Sequence, residues 1–195
     1  MGLMNEAKVG MKGCTLVDYP AATPEVREIY DDILATLGAT ALPNWVKAMG
    51  GNATLLRGNW EKTKAVVAKG TLPSLLKELV IFYISTKRGS EYCSACHAHA
   101  ALQLDRSLTM GDLMGIVNGE MTSLPASYQA ALQIVAQAAL DPASLTDAEF
   151  QRLRAVGFSE EEVPELFALA DLSVMFNTIT MTYGVPLDAE YTKVL

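Results

Sequence analysis

Two of the three cysteines and both histidines of this 195-residue chain lie within seven residues, in the segment RGSEYCSACHAHA at positions 88–100. Three chemistries fit the residues Cys93, Cys96 and His97. They match the Cys-x-x-Cys-His motif of covalent haem attachment, and they could equally form half of a zinc site or a dithiol redox centre. The rest of the sequence and the elements around the cluster decide which of the three is favoured.

The haem and zinc interpretations each require something that the sequence lacks. Haem attachment would use both thiols and make His97 an axial ligand, but it normally follows export, and the N-terminus MGLMNEAKVG has no apolar stretch of signal-peptide length. Structural zinc needs four ligands, usually from two separated pairs, and there is no second Cys/His pair. We therefore expect no cofactor and no metal; an open three-ligand zinc site stays the alternative.

The redox interpretation uses only residues of the cluster. Cys93 and His97 are four residues apart, so on a helix they share one face. In a helix that begins near position 90, Cys93 lies in the first turn, where unpaired N–H groups and the helix dipole favour a thiolate. Cys96 could receive an oxidised Cys93 as a disulfide if the turn loosens; otherwise an external thiol must do so. The alternative without chemistry is two core cysteines beside a hydrogen-bonded histidine.

Composition narrows the class of protein and its partners. The length suits one domain over residues 1–195. Half of the residues are apolar and only 19% are charged, which predicts a homo-oligomer that hides apolar surface. A net charge of −7 without a dense Lys/Arg run argues against nucleic acid, and no run of about 18 apolar residues predicts a membrane span. An odd number of cysteines without an export signal predicts the reducing cytoplasm.

The elements that must position the cluster are helices. The segment 74–88 contains no Gly or Pro and is apolar on all sides at its centre, which indicates a buried helix, and the cluster occupies the next helix, about 91–104. Start signals elsewhere predict further helices; they lie at Thr23-Pro24, Pro43, Asn52, Thr109, Pro125, Thr146 and Ser159. No hairpin signal separates alternating strands. The sequence predicts a single all-α domain.

A carboxylate on the helix predicted over 74–88 completes a recognisable pattern. Twelve residues after Glu78 comes SEYCSACH, which begins at Ser90. This pattern resembles the alkyl hydroperoxidase D-like, carboxymuconolactone decarboxylase superfamily, whose peroxidase members carry a Glu and, twelve residues later, Cys-x-x-Cys-x-x-x-His. The resemblance is best over 72–104, within a core of about 52–140, and weaker in FNTITMTYGVPLDAEY near the C-terminus. It implies a bundle of about eight helices, assembled as a trimer or hexamer.

The alignment departs from the family pattern at one cysteine. Ser90 takes the place of the first cysteine, Cys93 that of the second, and His97 that of the histidine. The competing alignment, with Cys93 first and Cys96 second, would need a histidine at position 100, which is Ala100. We prefer the first alignment, in which Cys96 is an additional cysteine one turn further along.

The resemblance implies a thiol peroxidase. Cys93 would attack a peroxide, Glu78 and His97 would form a proton relay, and a thiol reductant would regenerate the enzyme. Tyr92, just before the reactive cysteine, is similar to many family members, and His99 has no assigned role. The alternative interpretation, in which Glu78 has no catalytic role, is a surface carboxylate beside Lys77.

Two other functions stay open at this point. Some members of the superfamily are cofactor-free decarboxylases or lactone-opening enzymes, in which Glu78, His97 and His99 would matter and both cysteines would be dispensable. A non-catalytic, redox-sensing oligomer would oxidise its thiols slowly and stoichiometrically.

Overall fold

The protein is a helical bundle in which the described helices surround one hydrophobic core. The computed structural model describes residues 15–193, which contain nine α-helices and no strand. The helices are α1 (Pro24–Leu37), α2 (Asn44–Ala48), α3 (Ala53–Thr63), α4 (Ser74–Lys87), α5 (Glu91–Leu104), α6 (Met110–Val117), α7 (Ala126–Leu140), α8 (Asp147–Ala155) and α9 (Glu162–Tyr183). The predicted all-α class is confirmed. The third cysteine, Cys14, has no neighbouring cysteine or histidine in the sequence, which predicts an incidental residue; it lies outside the described residues.

Helices α4, α5, α7 and α9 form the centre of the bundle. α4 packs against the other three, and α9 also packs against α5 and α7. The centre of α4 carries apolar side chains on every side, and these can be buried only if other helices pack all round it. Its buried side chains include Leu76, Leu79, Ile81, Phe82 and Ile84. The prediction of a buried helix here is confirmed.

Side-chain caps start several helices where the sequence predicts them. The Thr23 hydroxyl accepts a hydrogen bond from the third residue of α1. Reciprocal capping boxes begin α6 at Thr109 and α8 at Thr146. Ser159 and Glu162 make the same exchange, Ser159 N–H to the Glu162 carboxylate at 2.8 Å and Glu162 N–H to the Ser159 hydroxyl at 3.1 Å. Each pair satisfies N–H groups that a helix start leaves without intrahelical partners.

A π-helical turn, Lys64–Ala68, extends α3. The sequence predicts an uninterrupted helix through position 69, but the last turn widens so that Lys69 N–H bonds to the carbonyl of Lys64. Such widened turns are frequent at functional sites. Thr63 and Val67, on either side of its start, line the cavity described below.

A buried ion pair fastens the start of α9 to the loop before α4. Lys77 is 2% exposed, and its ammonium lies 3.1 Å from the Glu165 carboxylate. Glu165 also accepts hydrogen bonds from Thr71 N–H and hydroxyl and from Leu72 N–H. A side chain at Gly70 would collide with this carboxylate, because its Cβ would lie 2.1 Å from Glu165 Oε1. The loop that precedes α4 is thus fixed relative to α9.

α9 is long and apolar enough, by length and composition, to cross a membrane. In this structure it packs against α4, α5 and α7 and carries three buried polar residues, Ser173, Asn177 and Thr180. These are the contacts of a core helix. The cytoplasmic location and the absence of a membrane partner stay predictions.

Candidate functional site

One cavity of about 330 Å³ is lined by all four residues predicted to be catalytic. Glu78 reaches it from α4, and Cys93, Cys96 and His97 reach it from α5. The four-residue spacing places Cys93 and His97 on one helix face, as expected from helical geometry. Cys93 is 3% exposed, so its sulfur meets molecules in the cavity rather than bulk solvent.

Glu78 and His97 form a direct polar contact in this cavity. Glu78 Oε2 lies 2.6 Å from His97 Nδ1, and the two side chains are only 14% and 18% exposed. Because Nδ1 is held by the carboxylate, Nε2 is the ring nitrogen left to act on other groups. Glu78 is not a surface carboxylate beside Lys77, since it is paired with His97 whereas Lys77 pairs with Glu165. A carboxylate placed this way fixes the orientation of the imidazole.

A chain of hydroxyl groups reaches the sulfur of Cys93. Cys93 Sγ lies 3.5 Å from Thr180 Oγ1, which lies 3.3 Å from Ser90 Oγ. Thr180 belongs to α9, and its hydroxyl also donates to the carbonyl of Phe176 at 2.9 Å. Ser90 is therefore within two hydrogen bonds of the Cys93 sulfur.

Cys96 is in a different environment from Cys93. Burial raises the pKa of the Cys96 thiol, a hydrogen bond from Tyr191 opposes that rise, and the negative charges of Glu78 and Asp188 add to it. Cys96 is thus held as a neutral thiol. The rings of His99 and Tyr191 lie 5.7 Å apart, and His99 does not line the cavity. His99 therefore packs near the Tyr191 ring and outside the cavity lining.

Tyr92 ties three segments together at the edge of the site. Its hydroxyl donates to Asp188 and accepts from Trp45 N–H at 3.3 Å. Asp188 also accepts from Asn44 N–H at 3.1 Å. Burial and the neighbouring Asp188 carboxylate raise the pKa of Tyr92, which keeps its hydroxyl protonated. Tyr92 thus holds the segment after α9 against α2 and the start of α5.

Much of the cavity lining is apolar and aromatic. Trp45 and Phe176 pack edge to face with ring centroids 4.7 Å apart. Aliphatic side chains complete this lining: Leu37, Val67, Ile81 and Leu172. Among residues 15–193, no three His, Cys, Asp or Glu side chains are grouped so that they could hold a metal ion.

Solved structures with the same arrangement of helices share this fold over most of their length. A peroxidase-related protein from Ralstonia eutropha JMP134, described as an alkylhydroperoxidase AhpD core, superposes with a TM-score of 0.78 over 91% of this chain and 92% of its own, at 17% identity. The protein has the AhpD-like fold. A peroxidase-related protein from Silicibacter sp. TM1040 gives a TM-score of 0.76 at 23% identity, covering 93% of this chain and 95% of its own.

A third neighbour carries a different activity in its name. The debrominase Bmp8, as a variant bound to 2,3,4-tribromopyrrole, gives a TM-score of 0.71 at 22% identity and covers 88% of this AhpD-like chain and 89% of its own. No family model matches the sequence, and no curated protein matches it. The similarity therefore establishes the fold, and the function must be argued from the site.

Several residues of the cavity carry no signal in the local motif. Phe176, Thr180 and Tyr191 lie 79 or more positions after its last residue, His97. The one sequence signal near them is the family-like segment FNTITMTYGVPLDAEY, which contains all three without distinguishing any. Trp45 is a candidate for the core, a subunit contact or the site, and the structure places it in the cavity wall.

Proposed function

We propose that this protein is a thiol-dependent peroxidase in which Cys93 reduces an organic hydroperoxide. The observation that carries the proposal is the meeting of the Cys93 thiol and the Glu78–His97 pair in one cavity. His97, oriented through Nδ1 by Glu78, takes the thiol proton at Nε2. The thiolate attacks the outer peroxide oxygen, the O–O bond breaks, and the leaving alkoxide receives that proton. The products are an alcohol and a sulfenic acid on Cys93.

Regeneration requires a second thiol. Cys96 is three residues away on the same helix, and its neutral thiol could condense with the sulfenic acid of Cys93 to give a disulfide and water. Disulfide geometry is strict, so the first turn of α5 must loosen for this step. If the turn stays closed, an external thiol forms the mixed disulfide instead. In either case a reductant of the dithiol class supplies two electrons; it restores Cys93 from the mixed disulfide, or both Cys93 and Cys96 from the internal disulfide.

The cavity favours a peroxide with an apolar organic group. Hydrogen peroxide needs no apolar pocket, whereas about 330 Å³ lies at the lower end of the volumes that hold small organic ligands. The Trp45–Phe176 pair offers an aromatic surface in the same cavity as the thiol. An aryl or branched alkyl hydroperoxide would place its apolar group there and its O–O bond toward Cys93.

Mass spectrometry of the reduced protein after one equivalent of cumene hydroperoxide tests the proposal. We expect rapid oxidation within the peptide 89–106, as a Cys93–Cys96 disulfide or as a sulfenic acid on Cys93 trapped by dimedone. Cys93→Ser should abolish peroxide turnover with dithiothreitol, and Cys14→Ser, which alters the cysteine outside the motif, should not. Unmodified Cys93 and Cys96 after prolonged exposure would reject the peroxidase and leave acid–base lyase chemistry at Glu78 and His97.

Dehalogenation of a small aromatic compound is the second candidate. It is favoured by the aromatic wall of the cavity together with the debrominase of the same fold. The net reaction would replace a carbon–bromine bond by carbon–hydrogen, with two thiols oxidised to a disulfide and bromide released. Bromide release from a brominated pyrrole in the presence of dithiothreitol, lost in Cys93→Ser, would select this activity over peroxide reduction.

A further inference from the structure

We infer that Thr180, with Ser90 behind it, is a positioning residue that donates a hydrogen bond to the Cys93 thiolate and so sets the reactivity of that sulfur. The inference deepens the proposed function and rests on it only in taking Cys93 as the reacting thiol. It concerns two residues outside the Glu78–His97 pair, one of them on α9.

Three residues of α9 line the cavity, and Thr180 is the polar one among them. The other two lining residues from α9, Leu172 and Phe176, are apolar. Ser90, Cys93 and Thr180 are all buried, so water has little access to the sulfur from this side. A thiolate formed there needs a donor from the protein, because a buried charge without a hydrogen bond is strongly disfavoured.

The hydroxyl protons can be arranged for either state of the sulfur. With Cys93 as a thiol, Thr180 donates to the Phe176 carbonyl at 2.9 Å and accepts the weak S–H donor. When Cys93 loses its proton, rotation of the Thr180 hydroxyl redirects its hydrogen to the sulfur. The Phe176 carbonyl is not left unsatisfied, since it remains the i−4 acceptor for the backbone N–H of Thr180. Ser90 can then donate to Thr180, which strengthens the bond to sulfur.

The orientation of Ser90 supports this arrangement. Ser90 is the N-cap of α5, where a serine side chain usually accepts from the N–H of the second or third helical residue, the third being Cys93. Its side chain makes no such bond and lies 3.3 Å from the Thr180 hydroxyl instead. The hydroxyl thus contributes to the chain that ends at sulfur rather than to the helix start.

The charges around Cys93 explain why a neutral donor matters. Titratable side chains that line the same cavity come from α4, α5 and the C-terminal turn: Glu78, Tyr92, Cys96, His97, Glu190 and Tyr191. The two carboxylates disfavour a further negative charge in the cavity, and the imidazole favours it only when protonated. A hydroxyl donor stabilises the thiolate at every pH in the working range.

Alkylation kinetics of Cys93 test the inference on the full-length protein. Iodoacetamide labelling is followed from pH 5 to 10, with fragment ions that separate Cys93 from Cys96. For Thr180→Val, a hydrogen bond to a charged group is lost, so we expect labelling at pH 7 to slow about tenfold and the midpoint of the pH–rate profile to rise by about one unit. Thr180→Ser should restore both, and Ser90→Ala should slow labelling about twofold to threefold.

Thr178→Val is the matched control. Thr178 lies on the same helix, is exposed, and donates to the carbonyl four residues earlier as Thr180 does. It should leave labelling of Cys93 unchanged. Wild-type labelling of Thr180→Val, equal slowing by Thr178→Val, or failure of Thr180→Ser to restore the profile would each overturn the inference. Labelling needs no peroxide, so slow labelling of Thr180→Val in a protein that fails to reduce peroxides would reject the proposed function and retain the role of Thr180.

Discussion

Glu78→Gln removes one charge from a buried contact while nearly preserving its shape. The glutamine carbonyl can still accept from His97 Nδ1, so the imidazole keeps its orientation and loses the negative charge beside it. The contact is 2.6 Å long between side chains that are 14% and 18% exposed, so solvent screens it weakly. The substitution therefore separates the electrostatic role of the carboxylate from its role in orientation.

The expected loss follows from the strength of such a contact. A hydrogen bond to a charged group contributes about 1.5–3 kcal/mol, which corresponds to a decrease in kcat/KM of about 10-fold to 150-fold. Glu78→Ala, which also frees the imidazole, should lose at least as much. Both variants should remain folded, because the change lies at a cavity wall and removes no packed apolar group.

The assay is the initial rate of cumene hydroperoxide consumption with dithiothreitol, over a range of peroxide concentrations. Glu91→Gln is the control, since it removes the same charge from an exposed position in the first turn of α5. It should change the rate less than twofold. If Glu78→Gln kept at least half of the wild-type kcat/KM, the carboxylate would have no part in proton transfer through His97. An equal loss in Glu91→Gln would indicate a general field effect on the helix start.

Three further results are expected. Trp45→Ala should raise KM for cumene hydroperoxide about tenfold through lost apolar contact and leave turnover of hydrogen peroxide unchanged; an equal effect on both substrates would contradict an organic-group pocket. Cys96→Ser should leave a long-lived sulfenic acid on Cys93, detected with dimedone, and unchanged turnover would show that Cys96 does not resolve it. Burial acts to raise the pKa of Glu165, but hydrogen bonds from Thr71 and Leu72 and the Lys77 ammonium together hold it below its ordinary value of 4.5. Its stabilising effect is therefore complete above that pH and lost as the pH falls through the lowered value. Glu165→Gln should lower the free energy of unfolding at pH 7, measured in urea, by about 3 kcal/mol. It should also weaken the loss of that free energy as the pH falls. If the loss at acid pH were unchanged, Glu165 would not be its source.

Local rules were sufficient for the elements and for the motif. Caps at Thr23, Thr109 and Thr146 are short-range features, so the starts of α1, α6 and α8 could be predicted from a few adjacent letters. The shared face of Cys93 and His97 follows from the helical repeat alone.

The partner of Lys77 could not be read from the sequence. Adjacency suggests that Lys77 pairs with Glu78, but neighbours in a helix point about 100° apart, so the two side chains leave α4 in different directions. Lys77 instead meets Glu165, 88 positions later, and Glu78 meets His97.

The sequence by itself determined an all-α chain, a buried α4 and a helix that carries Cys93, Cys96 and His97 on neighbouring turns. These depend on periodicity and capping, which act over a few residues. Only the tertiary structure decided which groups surround the sulfur: Thr180, Trp45, Phe176 and Tyr191. Their distances from Cys93 depend on how α2, α9 and the C-terminal turn pack against α5. That packing is set by the fit of many side chains at once, which no short stretch of sequence contains.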